Sequence, residues 1–186
     1  VPYKDGYLMN QRYVNYFIEP NGSYTCKEPI TTYNRRIILD HNFNIMSRFD
    51  FDDLPKKVDR YAGIEDVKIF KHNDQFVFFG TEQDIKSKNL CVTTGVYPTD
   101  DKSKSLVSTI CESPNKRGCE KNWVYLSHNN KLKVIYQWYP LDICHMDGNQ
   151  LVSEKTTIDV PAFFKHLRGS SHGCNFNKEI WFITHL

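Results

Sequence analysis

An internal repeat is the feature that most restricts how this chain can fold. The segment GIEDVKIFKHNDQFVFFG, from Gly63 to Gly80, is followed further along by CEKNWVYLSHNNKLKVIYQW, from Cys119 to Trp138. Each segment has a charged or polar opening, a strand-like run, an Asn-rich turn and a second strand-like run, in the same register. Repeats of this size are typical of architectures in which one supersecondary unit packs on the next.

Short runs rich in β-branched and aromatic residues recur along the whole chain, with turn sequences between them. The predicted strands are 7–18, 36–39, 66–70, 75–79, 90–97, 106–110, 122–126, 132–138 and 180–184. The turns include HND (72–74), HNN (128–130) and DGN (147–149). The best helical candidate is the short segment 162–166. The sequence therefore predicts an all-β protein.

Antiparallel units of about 45 to 55 residues fit the blades of a β-propeller better than a sandwich. The predicted units span residues 7–49, 65–111 and 120–160, and a fourth begins near Leu167. A closed ring does not stop inside a blade, because an open ring leaves strand edges unpaired. We therefore expect residues 1–186 to form a single propeller domain that is truncated at both ends, with about three to four blades present.

The composition excludes several classes of function. Basic and acidic residues nearly balance, 24 against 22, which gives a net charge of +2 and no strong field to attract nucleic acid. The sequence has no apolar run of about 18 residues, so it predicts no membrane span. Six scattered cysteines without a C-x-x-C pair indicate buried free thiols rather than a zinc site or a disulfide framework. With no visible signal peptide, this favours an intracellular location.

Acidic and basic residues open the predicted innermost strand of successive units. In a propeller these openings meet at one end of the central channel, however far apart they are in sequence. The openings are Glu65-Asp66, Glu120-Lys121 and the run from Arg168 to His172. Like charges held close together resist ionisation and buried charges need partners, so the pattern indicates a site. Ion pairs of the acids with Lys68, Lys121 or Arg168 would explain the same pattern without a ligand.

Several short motifs, in order along the chain, resemble those of the mannoside phosphorylases and related glycoside hydrolases, which are five-bladed β-propellers. The segment GIEDVKI (63–69) is similar to their G-x-E-D-P-R-I motif, with Val67-Lys68 in place of Pro-Arg. A lysine there is a point charge where arginine would offer a bidentate fork. The other motifs are YLMNQR (7–12), EKNW (120–123), and RGS (168–170) followed by a strand that ends at His185.

The resemblance implies a carbohydrate partner and cleavage or transfer at a glycosidic bond. It implies no metal and no organic cofactor, with inorganic phosphate as the co-substrate of a phosphorylase. Asp66 would donate a proton to the glycosidic oxygen, and Glu65 and Glu120 would be the neighbouring catalytic carboxyl groups. The residues expected to bind sugar or phosphate are Arg12, Lys68, Lys121, Trp123, Arg168, His172 and His185.

Two other functions remain open at this point. One is a non-catalytic glycan-binding propeller, such as an accessory domain of a glycosyltransferase, and the other is a structural or interaction propeller whose channel charges are paired. The aromatic side chains of Trp123, Tyr125, Trp138 and Tyr139 either stack on sugar rings or pack between blades, which is the usual place of aromatic residues in alternating strands.

Overall fold

The computed structural model describes residues 1–26, 29–52, 60–100, 103–115, 117–155 and 158–186 of the chain. Its strands are β1 (Pro2–Tyr3), β2 (Gly6–Val14), β3 (Phe17–Ile18), β4 (Tyr24–Thr25), β5 (Ile30–Asp40), β6 (Ile45–Asp50), β7 (Tyr61–Ala62), β8 (Glu65–His72), β9 (Gln75–Gln83), β10 (Leu90–Val96), β11 (Thr109–Ile110), β12 (Val124–His128), β13 (Lys131–Trp138), β14 (Leu141–Asp147), β15 (Gln150–Ser153), β16 (Arg168–Gly169), β17 (Cys174–Phe176), β18 (Glu179–Trp181) and β19 (Thr184–His185). Within these ranges the one helical segment is a 3-10 helix, Ala162–His166. The all-β prediction is confirmed. No helix of the described ranges has the length and hydropathy to cross a membrane.

Tight turns form where the Asn-rich sequences predict them. Asn73 joins β8 to β9 with a φ of 53°, and Asn129 and Asn130 join β12 to β13 with φ of 51° and 58°. Asparagine adopts this left-handed backbone more readily than most residues, so the chain reverses within two residues. The repeated Asn-rich turns therefore fix the two hairpins of the internal repeat.

Three antiparallel sheets follow one another along the chain. The first has the strand order β1-β2-β5-β6, with β7 added in parallel to β5. The second has the order β11-β10-β9-β8, and the third has the order β12-β13-β14-β15. In the second and third sheets each strand pairs with its neighbour in sequence, so both sheets are meanders. The two copies of the repeat are the first two strands of these two sheets.

The structure corrects several predicted boundaries. The first sheet starts with β1, so the strand that begins at Gly6 is the second of its sheet rather than the first. The strand predicted from residue 122 starts at Val124, because Asn122 has a φ of 65° and cannot continue an extended strand. The described part of the last segment has two short pairs, β16 with β19 and β17 with β18, instead of a four-stranded unit. Residues 27, 28, 101, 102, 156 and 157 of the predicted units lie outside the described residues.

Each sheet packs against the next one in chain order. One apolar cluster joins the first and second sheets and includes Leu8 and Phe78. A second cluster joins the second and third sheets, where the rings of Phe79 and Tyr125 stack with centroids 3.7 Å apart. A third cluster joins the third sheet to Ile180 of β18. The core is therefore a series of layers between consecutive sheets.

All six cysteines lie in the described part of the chain and are free. Cys111 and Cys144 are buried, whereas Cys119 and Cys174 are exposed. Burial raises the pKa of the Cys111 and Cys144 thiols to about 12, so these two side chains behave as small apolar core residues. The prediction of buried thiols holds for these two positions only.

Candidate functional site

Strand β8 opens on a bulge that presents two consecutive acids. Gly63, just before it, has a φ of +86°, and a Cβ there would lie 2.1 Å from the carbonyl oxygen of Thr32, so only glycine fits. Asp66 has a φ of 52°, and the pairing of β8 with β9 shifts between Glu65 and Lys68. A regular strand would point neighbouring side chains to opposite faces, whereas a bulge re-aims them. The bulge at the start of β8 therefore changes the directions of the two acidic side chains relative to those in a regular strand.

Arg12 of the first sheet contacts Asp66 of the second. The guanidinium Nη1 lies 2.6 Å from the carboxylate Oδ1, and the two side chains are 34% and 47% exposed. Tyr16 belongs to the same neighbourhood, because burial raises the pKa of its hydroxyl, Arg12 opposes that rise and Glu65 adds to it. Sequence reasoning missed Tyr16. A signal was present, since the predicted strand 7–18 places Arg12 and Tyr16 on one face, although the strand in the structure ends at Val14.

Glu65 has a different environment from that of its neighbour. Burial raises the pKa of the Glu65 carboxyl, and Arg12 opposes that rise. The charge of Asp66 raises the same pKa, while Lys121 lowers it. Glu65 therefore interacts with charges from the first sheet, from its own sheet and from the segment that leads into the third. Two adjacent carboxyl groups thus differ, because Glu65 is partly buried whereas Asp66 is exposed and ion-paired.

The openings of β8 and β12 lie against each other. A small cavity is lined by Asp66, Lys68, Asn122 and Trp123, among others. Asp66 and Asn122 both have left-handed backbone, with φ of 52° and 65°. Non-glycine residues in this conformation cost free energy and cluster at functional sites. The second and third sheets therefore meet at two unusual backbone positions, of which sequence reasoning had identified only Asp66 as a site residue.

Lys68 and His172 connect β8 with β12 and with the segment that begins with β16. The Lys68 ammonium donates a hydrogen bond to the carbonyl oxygen of Gly169 at 3.1 Å, and burial lowers the pKa of Lys68 while Asp66 opposes that change. His172 accepts from the Tyr125 backbone N–H at Nδ1 (2.8 Å) and donates from Nε2 to the Lys68 carbonyl oxygen (2.9 Å). Burial lowers the pKa of His172 to about 4. With both ring nitrogens engaged, this neutral imidazole has none left for sugar or phosphate.

A larger cleft of about 460 Å³ adjoins this small cavity. Its lining includes Glu120, Lys121 and Arg168, which are three of the predicted site residues. Asp66 lines the small cavity, and the neighbouring residues Asn122 and Trp123 line both. The predicted residues thus surround two adjoining hollows instead of one.

Glu120 and Trp123 are buried in the wall of the cleft. The Glu120 carboxylate accepts a hydrogen bond from the Tyr136 hydroxyl at 3.1 Å. Trp123 is 2% exposed, and its ring packs edge-on against Phe79 and Tyr136. Trp123 is therefore a core residue in this structure and has no open ring face on which a sugar could stack.

His185 lies beside the Arg168 motif. Strands β16 and β19 are antiparallel, with Arg168 opposite His185, and the Ser170 hydroxyl lies 2.7 Å from His185 Nδ1. The structure thus brings the RGS motif and the histidine that follows it into one strand pair. Among the described residues, no group of three or more His, Cys, Asp or Glu side chains is placed to hold a metal ion.

Comparison with protein-family models, with curated proteins and with solved structures finds no match to this chain. The resemblance to the mannoside phosphorylases therefore depends on the short motifs alone.

Proposed function

We propose that the chain is a carbohydrate-active protein that cleaves or transfers at a glycosidic bond, with Glu65 and Asp66 at the centre of its site. The observation that carries this proposal is the difference between the two carboxyl groups. Burial raises the pKa of Glu65, whereas Asp66 is ion-paired with Arg12 at 2.6 Å. A pair of carboxyl groups in unlike environments is the arrangement with which glycosidases divide the work between an acid and a carboxylate.

The environments favour a reversal of the roles that the motif resemblance implies. Burial raises the pKa of Glu65 and so favours its protonated form, and for this reason we assign to it the transfer of a proton to the glycosidic oxygen. We assign to Asp66, which is ion-paired with Arg12, the stabilisation of the positive charge that develops at the anomeric carbon. A water molecule or inorganic phosphate then attacks that carbon, the bond to the leaving oxygen breaks, and the leaving oxygen retains the proton from Glu65. An attacking water molecule loses one proton to the solvent, and Glu65 takes up a proton from the solvent before the next turnover.

The proposed architecture is a β-propeller of the five-bladed type. Three consecutive antiparallel sheets, each packed on the next, support this proposal, because successive blades of a propeller pack in this way. The hydrogen bonds of Lys68 with Gly169 and of His172 with Lys68 link the first strand of the second sheet to the segment that begins with β16. Contacts between strands that open separate sheets are expected around a central axis.

A second candidate is glycan binding without catalysis. The Arg12–Asp66 pair favours it, because the two charges already compensate each other. Such a pair can contact a ligand without any transfer of a proton. In this case the site recognises sugar hydroxyl groups through charged side chains and leaves the glycosidic bond intact.

The test is incubation of the purified protein with mannosides, with and without inorganic phosphate, followed by chromatography of the products. Glu65→Gln and Asp66→Asn are compared with Asp147→Asn, which changes an exposed acid at the end of β14. We expect Glu65→Gln to lose about 10²–10⁴-fold in turnover, the usual contribution of general acid catalysis. Sugar binding without products supports the glycan-binding alternative. The absence of both activity and sugar binding, with Asp66→Asn lowering stability, leaves only a structural or interaction protein.

A further inference from the structure

The cleft beside the third sheet concentrates positive charge. Among the described residues that line it, the basic side chains are Arg117, Lys121, Lys165 and Arg168, and the acidic one is Glu120. These side chains carry a formal charge of +3, whereas the whole chain carries +2. The rest of the sequence is therefore close to neutral. Cations gathered in one concave surface raise the local concentration of anions.

No direct ion pair neutralises these cations in the part of the chain that the structure describes, although Lys121 acts on the pKa of Glu65. Within the described ranges none of the four basic side chains is in an ion pair, and all four are exposed. The one acid of the lining, Glu120, is buried and accepts the Tyr136 hydroxyl, so its charge is turned into the wall. Basic groups that converge without a neutralising acid repel one another, and an anionic ligand relieves that repulsion.

Arg117 is held in position within the cleft. Its Nη2 donates a hydrogen bond to the Gln137 side-chain oxygen at 2.9 Å, and its guanidinium lies 5.9 Å from the centre of the Tyr136 ring. An arginine fixed in this way loses less conformational entropy when it binds an anion than a mobile side chain does.

Aromatic side chains form another part of the same wall. Trp138 and Phe164 contact each other edge-on with centroids 6.3 Å apart, and Tyr139 beside them is 43% exposed. Tyr139 therefore offers an exposed aromatic ring, and aromatic side chains of this kind are common in the linings of ligand sites. The cleft thus combines a surface for a ring with unpaired charges for an anion.

We propose that this cleft binds a sugar unit that carries an anionic group, namely a phosphate ester, a sulfate ester or a carboxylate. The inference rests on the proposed function for its sugar, and it adds that the sugar is charged. Lys121 connects the two parts of the site, because it lines the cleft and also acts on the pKa of Glu65. The charged unit therefore lies next to the unit whose glycosidic bond meets the acid pair.

The test is calorimetric titration of the purified protein with mannose 6-phosphate, glucuronic acid, mannose and inorganic phosphate, each at low and at high salt. We expect a charged sugar to bind at least about tenfold more tightly than mannose, the size of one hydrogen bond to a charged group. The affinity for the charged sugar should fall as salt increases. The double variant Arg117→Gln and Lys165→Gln should remove this preference. Lys86→Gln with Lys131→Gln, which changes two exposed lysines outside the cleft, should keep it.

Three results would overturn the inference: equal affinity for mannose and its phosphate, inorganic phosphate bound as tightly as the charged sugar, or a double variant that binds like the wild type. Binding is measured in the Glu65→Gln background as well, where turnover plays no part. Charged-sugar binding without any glycosidic activity would refute the proposed reaction but not this inference. Activity on neutral mannosides with no preference for charge would refute this inference and leave the reaction in place.

Discussion

Arg12 and Asp66 are 54 residues apart in sequence, yet their side chains meet at 2.6 Å across the junction of the first and second sheets. Both are partly exposed to water, so the pair is screened and adds little to stability. The contact stabilises little, although it joins charged residues of two sheets. Its effect on the pKa of the neighbouring Glu65 explains it better.

The first prediction concerns the stability of this ion pair. We expect a free energy of unfolding within about 1 kcal/mol of the wild-type value for Arg12→Gln, for Asp66→Asn and for the double variant. The reason is that exposed ion pairs contribute about 0–1 kcal/mol to stability. Asparagine also tolerates the left-handed backbone of residue 66. Urea unfolding at low and high salt measures the coupling. A coupling energy of several kcal/mol would show that the pair is structural, and the site argument would lose its basis.

The second prediction concerns the protonation of Glu65. Asp66→Asn removes a negative charge that raises the pKa of Glu65, so this pKa should fall. Lys121→Gln removes a positive charge that lowers it, so the same pKa should rise. Carbon-13 NMR of the labelled carboxyl group reports both shifts, with Lys131→Gln as a control at an exposed position outside the cleft. In an active enzyme, the pH at which activity is lost on the alkaline side should move in the same two directions. Shifts of the opposite sign would remove Glu65 as the proton donor.

The third prediction concerns His172 and acid stability. Burial lowers the pKa of His172 in the folded chain to about 4, from the ordinary value of 6.5. Between these two pH values His172 is therefore protonated in the unfolded chain but not in the folded chain. The stability from His172 is therefore complete above pH 6.5 and is lost as the pH falls towards 4. Between pH 6.5 and 5 the loss should be about 2 kcal/mol.

The variant His172→Gln should be less stable at pH 7 and should show a smaller decline between pH 6.5 and 5, because glutamine does not titrate. His166→Gln, which changes an exposed histidine of the 3-10 helix, should decline like the wild type. Urea unfolding at several pH values compares the three proteins. An equal decline in all three would mean that His172 is accessible to protons in the folded chain.

The fourth prediction concerns the close packing of β16 on β12. A Cβ on Gly169 would lie 2.5 Å from Val124 Cγ1 and 2.8 Å from the carbonyl oxygen of Asn122. Gly169→Ala should therefore destabilise the fold by about 1–3 kcal/mol, the usual cost of overpacking. Gly118→Ala is the matched control, because the nearest atom to its Cβ would be Asn89 Oδ1 at 3.6 Å. Thermal unfolding of both variants checks the difference, and equal melting temperatures would contradict the packing described here.

Hairpins and acid openings could be predicted because they are local. The Asn-rich turns at 72–74 and 128–130 determine where the strands reverse, and Gly63 marks the bend before the two acids. The pattern also predicted that the openings of separate units lie together, and Asp66 and Asn122 line the same small cavity.

Partner choice and side-chain burial could not be predicted, because they depend on distances that periodicity does not contain. The sequence offered Lys68, Lys121 and Arg168 as partners of Asp66, and its partner in the structure is Arg12. Trp123 and His172 belong to segments that look like strand openings, but both side chains pack against Phe79 of the second sheet, where Trp123 is buried and His172 is partly buried. The alternation of residues along a strand predicts the face on which a side chain lies. It does not predict how deeply the neighbouring sheet buries that face.

The contacts of Lys68 with Gly169 and His172 span 101 and 104 residues of sequence. Strand β8 therefore leaves the ribosome long before the residues that complete its surroundings are synthesised. In that interval the rings of Phe70 and Phe79, against which His172 later packs, have one neighbour missing. High contact order slows folding, and an unfinished apolar surface on a nascent chain promotes aggregation. Substitutions that loosen His172 should therefore reduce the yield of folded chain during synthesis before they affect the finished molecule.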